Sequence, residues 1–265
     1  MKPWIWRDRW ALVTGASSGL GRVFAERLAE RGCHLVLTAR RVERLDQLAS
    51  QLRDSCGVQV VVHPADLSQE GEPARLWSLA TEEGRQIHLL INNAGLGARG
   101  LFHEVEIQRH LEILRVNCGA LTGLAHLALP PMRARGEGGI INLASIAAFQ
   151  PVPTLATYAA AKAYVLSLSE ALWIENHNAG VRVLALCPGR TPTEFQRVAG
   201  TGSTEGAFGL RSPEQVVDAG LSAFEQGASS VVPGLENRAA TWVTRIMPRS
   251  ALTRAMKTVV RKFWK

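Results

Sequence analysis

The sequence predicts a single-domain α/β fold in which about seven parallel strands form a doubly wound sheet with helices on both faces. Short apolar runs alternate with helical patterns as far as residue 232, and a glycine-rich turn follows the first run. The chain has 265 residues, of which 46% are hydrophobic and 20% are charged. A chain of this size and composition can bury one sizeable core.

Seven apolar runs have the length expected of buried strands. They cover residues 10–14, 34–38, 58–63, 87–91, 138–143, 181–187 and 229–232. The patterns between them predict helices that end near Arg31 and Asp54, and helices over 72–84, 104–135 and 156–178. Gly32 closes the first helix, and Pro151 and Pro153 keep 149–153 a loop.

A glycine-rich turn, residues 15–21, joins the first strand to its helix. Its glycines let backbone N–H groups approach a pyrophosphate at the positive end of the helix. The spacing of Gly15, Gly19 and Gly21 is G-x3-G-x-G, which differs from the standard G-x-G-x-x-G fingerprint. A plain strand-to-helix connection is the alternative interpretation.

The second strand ends in Thr38-Ala39-Arg40-Arg41, with no acidic residue. At this position an acidic residue accepts the 2′-hydroxyl of NAD, whereas arginine suits a 2′-phosphate. The sequence therefore predicts NADP(H) in preference to NAD(H), with Arg40 as the main phosphate partner and Ser17 or Arg41 assisting. Alternatively, both arginines only begin a solvated helix.

Tyr158 and Lys162 are four residues apart on a predicted helix that no Gly or Pro interrupts. They therefore lie side by side on one face. An ammonium group near the phenol favours the phenolate, so Tyr158 is expected to exchange protons near neutral pH. The alternative is a chance pair, since many amphipathic helices carry a Tyr and a Lys at this spacing.

Three other positions suggest a ligand site. Asn93 lies in the Asn-Asn-Ala-Gly run after the fourth strand, where small residues let a flat ring and its ribose approach the backbone, or where the chain only makes a turn with no ligand. Asn117 costs helix propensity, so it is either a tolerated surface residue or an amide needed inside. Ser145 follows the fifth strand, at the sheet edge where ligands bind.

Together these motifs resemble the short-chain dehydrogenase/reductase family, whose fold is of the Rossmann type, over roughly residues 10–235. The stretch 142–172 looks most like a bacterial branch known only as oxidoreductases and related to ketoacyl and hydroxysteroid reductases. The matching motifs are Thr14-Gly15-x3-Gly19-Leu20-Gly21, Asn92-Asn93-Ala94-Gly95, Asn117, Ser145, Tyr158-x3-Lys162 and Pro188-Gly189-x3-Thr193.

The resemblance implies a role for each matching residue. Tyr158 is implied as the acid that protonates a carbonyl oxygen. Lys162 is implied as the group that lowers the pKa of Tyr158 and binds the nicotinamide ribose. Ser145 is implied as a partner of the reacting oxygen, and Asn117 as the holder of a water linking Lys162 to solvent. The predicted cofactor contacts are Gly15, Ser17, Ser18, Gly19, Leu20, Gly21, Arg40, Arg41, Asp66, Leu67, Asn93, Ala94, Gly95, Tyr158, Lys162, Pro188, Gly189, Thr191 and Thr193.

The expected activity is hydride transfer between NADP(H) and a carbonyl or secondary alcohol. A catalytically silent nucleotide-binding sensor or scaffold is the alternative. The variable wall at 190–212 suggests a mostly apolar pocket, although its apolar residues could equally be loop packing. The predicted pocket residues are Leu96, Phe149, Val152, Leu155, Phe195, Phe208 and Leu210.

The tail at 236–265 is a basic amphipathic extension of the domain at 1–235. It carries eight basic and no acidic residues from 237 onward. Since the whole chain has a net charge of +7, the residues before 237 together carry −1. Packing on the body or on a partner subunit is favoured over contact with a membrane surface. No nucleic-acid recognition module is present, so nucleic-acid binding is not expected.

The sequence favours a cytoplasmic location, with at most a peripheral contact between the C-terminal tail and a membrane surface. The first nine residues carry charges where a signal peptide needs an apolar run, and Cys33, Cys56, Cys118 and Cys187 show no C-x-x-C spacing. These cysteines are expected to be reduced and buried. The seven His lack ligand-like pairing, so no metal is expected. The family resemblance implies a homodimer or homotetramer through the long helices.

Overall fold

The computed structural model of the chain describes residues 2–200 and 209–263. Within them, seven parallel strands form one sheet in the order β3-β2-β1-β4-β5-β6-β7. The predicted doubly wound α/β fold is therefore confirmed. The strands are β1 Trp10–Thr14, β2 His34–Thr38, β3 Val60–Val62, β4 Ile87–Asn92, β5 Gly138–Leu143, β6 Val181–Leu186 and β7 Ser230–Val231.

The strand order reverses between β1 and β4. From β1 the chain moves outward to β2 and β3, and then returns to lay β4 on the other side of β1. Connections leaving the carboxyl ends of β1 and β4 diverge, and this opens a crevice in which doubly wound sheets bind ligands. The glycine turn and the Asn93 segment consequently both border this crevice.

Helices cover both faces of the sheet, because alternate strand residues point to opposite sides. In β1, Val13 packs in the cluster that contains α1, α2 and α8, whereas Leu12 packs in the cluster that contains α3 and α5. The helices are α1 Gly19–Glu30, α2 Val42–Cys56, α3 Glu72–Ala80, α4 Ile107–Leu114, α5 Leu121–Arg135, α6 Ala156–Asn176, α7 Glu194–Ala199, α8 Pro213–Glu225, α9 Leu235–Ile246 and α10 Arg249–Phe263.

Several predicted boundaries were wrong. The helix predicted over 104–135 is two helices, α4 and α5, joined by a π-helical segment, Arg115–Ala120. The helix predicted over 72–84 ends at Ala80 and continues as a 3-10 turn, Glu82–Gly84. Phe149, predicted in a loop, ends the 3-10 turn Ile146–Phe149. α7 lies in the predicted variable wall and was not expected as a helix.

The cysteines are free thiols. Cys33 and Cys187 are buried as predicted, but Cys56 and Cys118 are partly exposed. No helix in the described part of the chain is both long enough and apolar enough to cross a bilayer. The division into 1–235 and 236–265 stays a prediction.

Candidate active site

A cavity of about 380 Å³ occupies the crevice at the carboxyl edge of the sheet. The glycine turn and the arginines line one part of it, and Ser145, Tyr158 and Lys162 line another. Gly21 is the one predicted cofactor residue that does not line this cavity, and the predicted catalytic residue Asn117 does not line it either. The fold therefore brings together most of the residues that the sequence singled out.

The glycine turn is shaped by backbone conformations that favour glycine. Gly15 and Gly19 have φ of +67° and +56°, in the left-handed region. Gly21 lies behind the turn, where an added Cβ would collide with the Gly15 carbonyl oxygen and the Asn93 side-chain amide. The first turn of α1 carries no acidic residue, so its free N–H groups suit an anion. This backbone cradle fits the predicted pyrophosphate.

Asn93 supports the cradle from the β4 side. Its Nδ2 donates to the carbonyl oxygens of Thr14 and Gly15 at 2.8 and 3.2 Å. Its backbone N–H donates to Thr14 Oγ1 at 3.0 Å. Asn93 therefore holds the glycine turn to β4, while its predicted contact with a ribose stays a prediction.

The two arginines after β2 have different surroundings. The Arg41 guanidinium donates to Ser17 Oγ at 3.0 Å and to Ser18 Oγ at 2.8 Å, so it already faces the glycine turn. Arg40 is exposed and forms an ion pair with Glu112 at 3.5 Å. Both line the cavity. The structure thus gives Arg41 the closer contact with the turn and leaves Arg40 extended at its rim.

Glu194 is a site residue that the sequence reasoning missed. Its carboxylate accepts from Arg41 Nη1 at 2.7 Å and from Arg44 Nη1 at 2.9 Å, which joins the start of α7 to α2 across the cavity. These hydrogen bonds, with that from Arg41 the larger, lower the pKa of Glu194 to about 2. Thr193 and Gln196 have the sequence spacing of a capping box, and this pattern could have predicted that α7 begins at Glu194.

The catalytic candidates meet at the end of β5. Lys162 is buried on α6 and its Nζ donates to the Leu143 carbonyl oxygen at 2.6 Å. The same Nζ lies 5.7 Å from the centroid of the Tyr158 ring. Ser145 Oγ accepts from the Ala147 N–H at 3.1 Å and is hydrogen-bonded to the phenol.

Burial dominates the titration of these groups. It raises the pKa of Tyr158 to about 12, although the hydrogen bond with Ser145 acts to lower it. Burial also lowers the pKa of Lys162 to about 8. This differs from the sequence expectation that Tyr158 exchanges protons near neutral pH, because the loss of hydration on burial outweighs the hydrogen bond with Ser145. At neutral pH the described site holds a protonated phenol beside a cationic lysine.

Asn117 lies behind the cavity within the π-helical segment. It is fully buried, its Oδ1 accepts from the Leu96 N–H at 2.8 Å, and its Nδ2 donates to the Leu96 carbonyl oxygen at 2.9 Å. Of the two alternatives for Asn117 that the sequence left open, the structure therefore shows the buried amide and not the surface residue. Because both ends of the amide are engaged, Asn117 fixes the chain after β4, and its water-holding role stays a prediction.

The apolar part of the cavity only partly matches the prediction. Leu96 and Phe195 line it, and the Phe195 ring lies 5.3 Å from the Tyr158 ring. Val116 and Val198 also line it and were not predicted. The predicted residues Phe149, Val152, Leu155 and Leu210 lie outside the lining, and Phe208 lies outside the described residues.

No metal site is found in the part of the chain that the structure describes. There, no three His, Cys, Asp or Glu side chains come together as ligands.

Comparison with known proteins connects this geometry to one group of enzymes. The family profile described as short chain dehydrogenase matches residues 9–203. An uncharacterized oxidoreductase of Staphylococcus saprophyticus is 33% identical, covering 83% of this chain and 92% of its own. The very-long-chain 3-oxoacyl-CoA reductase of Anas platyrhynchos is 31% identical, covering 92% and 77%.

Solved structures with bound nucleotides share the fold. A short-chain dehydrogenase from Sphingobium yanoikuyae in complex with NADPH is 36% identical, with a TM-score of 0.82 over 96% of this chain and 95% of that one. A short-chain dehydrogenase/reductase from Burkholderia phymatum in complex with NAD is 25% identical, with a TM-score of 0.79 over 90% and 93%. Similar folds therefore accept either dinucleotide.

Proposed function

The chain belongs to the short-chain dehydrogenase family, and we propose that it is an NADP(H)-dependent oxidoreductase acting on a carbonyl or secondary alcohol. The observation that carries this proposal is the cavity that joins a backbone cradle to the Ser145, Tyr158 and Lys162 side chains. NADP(H) supplies the hydride when bound. A silent nucleotide-binding protein would need neither a buried lysine nor a phenol at this position.

In carbonyl reduction, Tyr158 donates its proton to the oxygen on which negative charge develops. A pKa of about 12 keeps the phenol protonated at neutral pH, ready to act as the acid. The Ser145 hydroxyl donates a second hydrogen bond to the same oxygen. The cationic Lys162 then stabilises the charge left on the phenol after proton transfer. The phenol of the free site is therefore in the protonation state that reduction requires.

The pH profile of reduction follows from Lys162. Burial lowers its pKa to about 8, so it is a cation below that pH and neutral above it. We expect kcat/KM for reduction to be level below pH 8 and then to fall about tenfold per pH unit as the cation is lost. Initial rates from pH 6 to 10, with circular dichroism to confirm folding, measure this. A level profile to pH 10 would refute the role of Lys162.

The choice of NADP(H) rests on the cationic end of the cavity. Arg40 and Arg41 both line it, and Arg41 is oriented by Ser17 and Ser18. The Sphingobium yanoikuyae relative is described in complex with NADPH, which supports this choice. The Burkholderia phymatum protein has a similar fold and is in complex with NAD, so the fold alone does not set the choice of cofactor. We therefore assign the preference for NADP(H) to Arg40 and Arg41.

The Arg40→Asp variant tests the cofactor preference. Losing a charged hydrogen bond to the 2′-phosphate, worth about 1.5–3 kcal/mol, is expected to weaken NADPH binding roughly 10- to 150-fold. NADH binding is expected to be unchanged or tighter, because NADH has no 2′-phosphate to lose and an acidic residue at this position can accept its 2′-hydroxyl. Fluorescence titration with each cofactor gives both dissociation constants.

The matched control is Arg22→Asp, which makes the same charge change on the exposed side of α1, outside the cavity lining. It is expected to leave the ratio of NADPH to NADH affinity unchanged. An unchanged ratio in Arg40→Asp as well would show that Arg40 does not read the 2′-phosphate.

The proposed substrate is a hydrophobic ketone or aldehyde. Leu96, Val116, Phe195 and Val198 line the cavity that also contains Tyr158. The Anas platyrhynchos relative is named for a very-long-chain acyl substrate, which supports an apolar molecule.

We also propose a cytoplasmic homodimer or homotetramer formed through α4 and α6. Both helices expose large apolar side chains, which are Ile107, Leu111 and Leu114 on α4, and Tyr164 and Ile174 on α6. Such a row of exposed apolar groups suits an interface between subunits.

A further inference from the structure

Helix α9 packs on the body with its polar side inward. Asn237 and Thr241 are buried, at 4% and 7% exposure. The large apolar side chains of the helix face outward, with exposures of 78% for Leu235, 62% for Trp242, 55% for Val243 and 75% for Ile246. An ordinary surface helix buries its apolar face, so α9 is reversed.

Specific polar contacts hold α9 in this orientation. Asn237 Nδ2 donates to the carbonyl oxygens of Gly209 and Pro233, both at 3.0 Å. The neighbouring Glu236 forms an ion pair with Arg211 at 2.6 Å. Rotating the helix to bury its apolar residues would break these contacts and leave a buried amide unpaired. The outward apolar face is therefore part of the packing of α9.

The outward residues form one continuous stripe. Leu235, Trp242, Val243 and Ile246 recur at spacings of seven, eight and eleven residues, which place them on one side of a helix. The stripe is about 16 Å long, at about 1.5 Å per residue. Within the described residues it remains open to solvent. It is a larger apolar surface than isolated exposed side chains provide.

The two helices α9 and α10 are also rich in basic residues. Arg238, Arg249, Arg254 and Lys257 are exposed on α9 and α10. Arg245 is also exposed, but it pairs with Glu170 on α6 at 3.7 Å. The sequence from 237 to 265 adds Arg261, Lys262 and Lys265 and contains no acidic residue. A second copy of this surface would bring like charges together, which disfavours self-association through it. An anionic surface with an apolar interior complements both the charge and the stripe.

We propose that α9 and the basic start of α10 form a docking surface for an anionic phospholipid bilayer. The Trp242 and Ile246 side chains enter the interface between headgroups and acyl chains, and the arginines contact the lipid phosphates. The sequence favoured packing of the tail on the body or on a partner subunit. α9 does pack on the body, but it does so through its polar residues and keeps its large apolar ones outside.

The docking surface borders the catalytic end of the cavity. α9 contacts the 3-10 turn Ile146–Phe149, which directly follows Ser145. Asn237 also fills the space beside Gly189, where an added Cβ would lie 2.5 Å from its Nδ2. Docking therefore brings the reacting end of the cavity close to the lipid, which suits the apolar substrate of the proposed function. The docking itself does not depend on that function.

Vesicle co-sedimentation of the full-length protein tests this proposal. We expect the protein to pellet with vesicles of phosphatidylglycerol and phosphatidylcholine, and to remain in solution with phosphatidylcholine alone. The Trp242→Ser/Ile246→Ser variant is expected to bind the anionic vesicles at least tenfold more weakly. Its melting temperature should stay unchanged, because both side chains are exposed. The control Ile5→Ser removes an exposed aliphatic side chain elsewhere and should bind as the unmodified protein does.

Three results would overturn the proposal. The first is failure of the unmodified protein to pellet with anionic vesicles. The second is equal binding by the double variant and the unmodified protein. The third is a smaller solution mass of the double variant without lipid, measured by light scattering, which would identify the stripe as a subunit interface. Since none of these readouts needs NADPH or turnover, failure of the proposed function leaves this test intact.

Discussion

The Tyr158→Phe variant is expected to lose turnover by roughly 10²- to 10⁴-fold, the range that one general acid contributes. The change removes the phenolic proton and keeps the ring, so packing against Phe195 is retained. NADPH affinity is expected to stay within about twofold, because the backbone cradle and the arginines are unaltered. Steady-state reduction of an apolar ketone, with fluorescence titration of NADPH, measures both quantities.

Tyr164→Phe is the matched control for this variant. Tyr164 is the only other tyrosine of the chain and lies on the same helix, where its hydroxyl is 2.8 Å from Thr122 Oγ1 on α5. It lies outside the cavity lining, so its loss should leave kcat within about twofold of the original. Full turnover by the Tyr158→Phe variant would show that Tyr158 is not the general acid.

Gly21→Ala is expected to abolish saturable NADPH binding. The added Cβ would collide with the Gly15 carbonyl oxygen, and a backbone atom cannot rotate away as a side chain can. The glycine turn must then shift away from α1, which displaces the N–H groups of the cradle. Overpacking of this kind costs about 1–3 kcal/mol in the free energy of unfolding. Denaturant unfolding and NADPH titration test the two effects.

Gly57→Ala is the control variant that separates damage to the glycine turn from a general loss of stability. Gly57 ends α2 with φ of +67°, and an added Cβ would meet nothing within 4 Å. Its replacement is expected to cost about 1–2 kcal/mol through the left-handed conformation alone. NADPH binding should be unaffected. Normal NADPH binding by Gly21→Ala would contradict the role given to the cradle.

The sequence predicted the sheet well because its strands are short apolar runs that end in small or polar residues. β1, β2 and β5 have the predicted bounds. Since parallel strands place their carboxyl ends at one edge, the sequence also predicted that Ser145 would lie at the edge of the sheet where ligands bind. Only local spacing was needed to place Tyr158 beside Lys162 on α6.

Features that depend on three-dimensional packing were not predicted. The π-helical segment around Asn117 exists where its buried amide pairs with Leu96, a residue 21 positions away. Glu194 meets Arg41 across the cavity, a contact that no local pattern encodes. The high pKa of Tyr158 arises from burial, which sequence spacing does not give. The reversed packing of α9 depends on Asn237 reaching Gly209.

Fluorescence titration of the purified protein with NADPH and with NADH, following energy transfer from its seven tryptophans, tests whether the cavity is an NADP(H) site. We expect saturable binding of both cofactors, with NADPH at least tenfold tighter. Tighter binding of NADH would contradict the role of the arginines after β2. Binding of neither cofactor would contradict the assignment of the cavity as a dinucleotide site, and with it the proposed oxidoreductase.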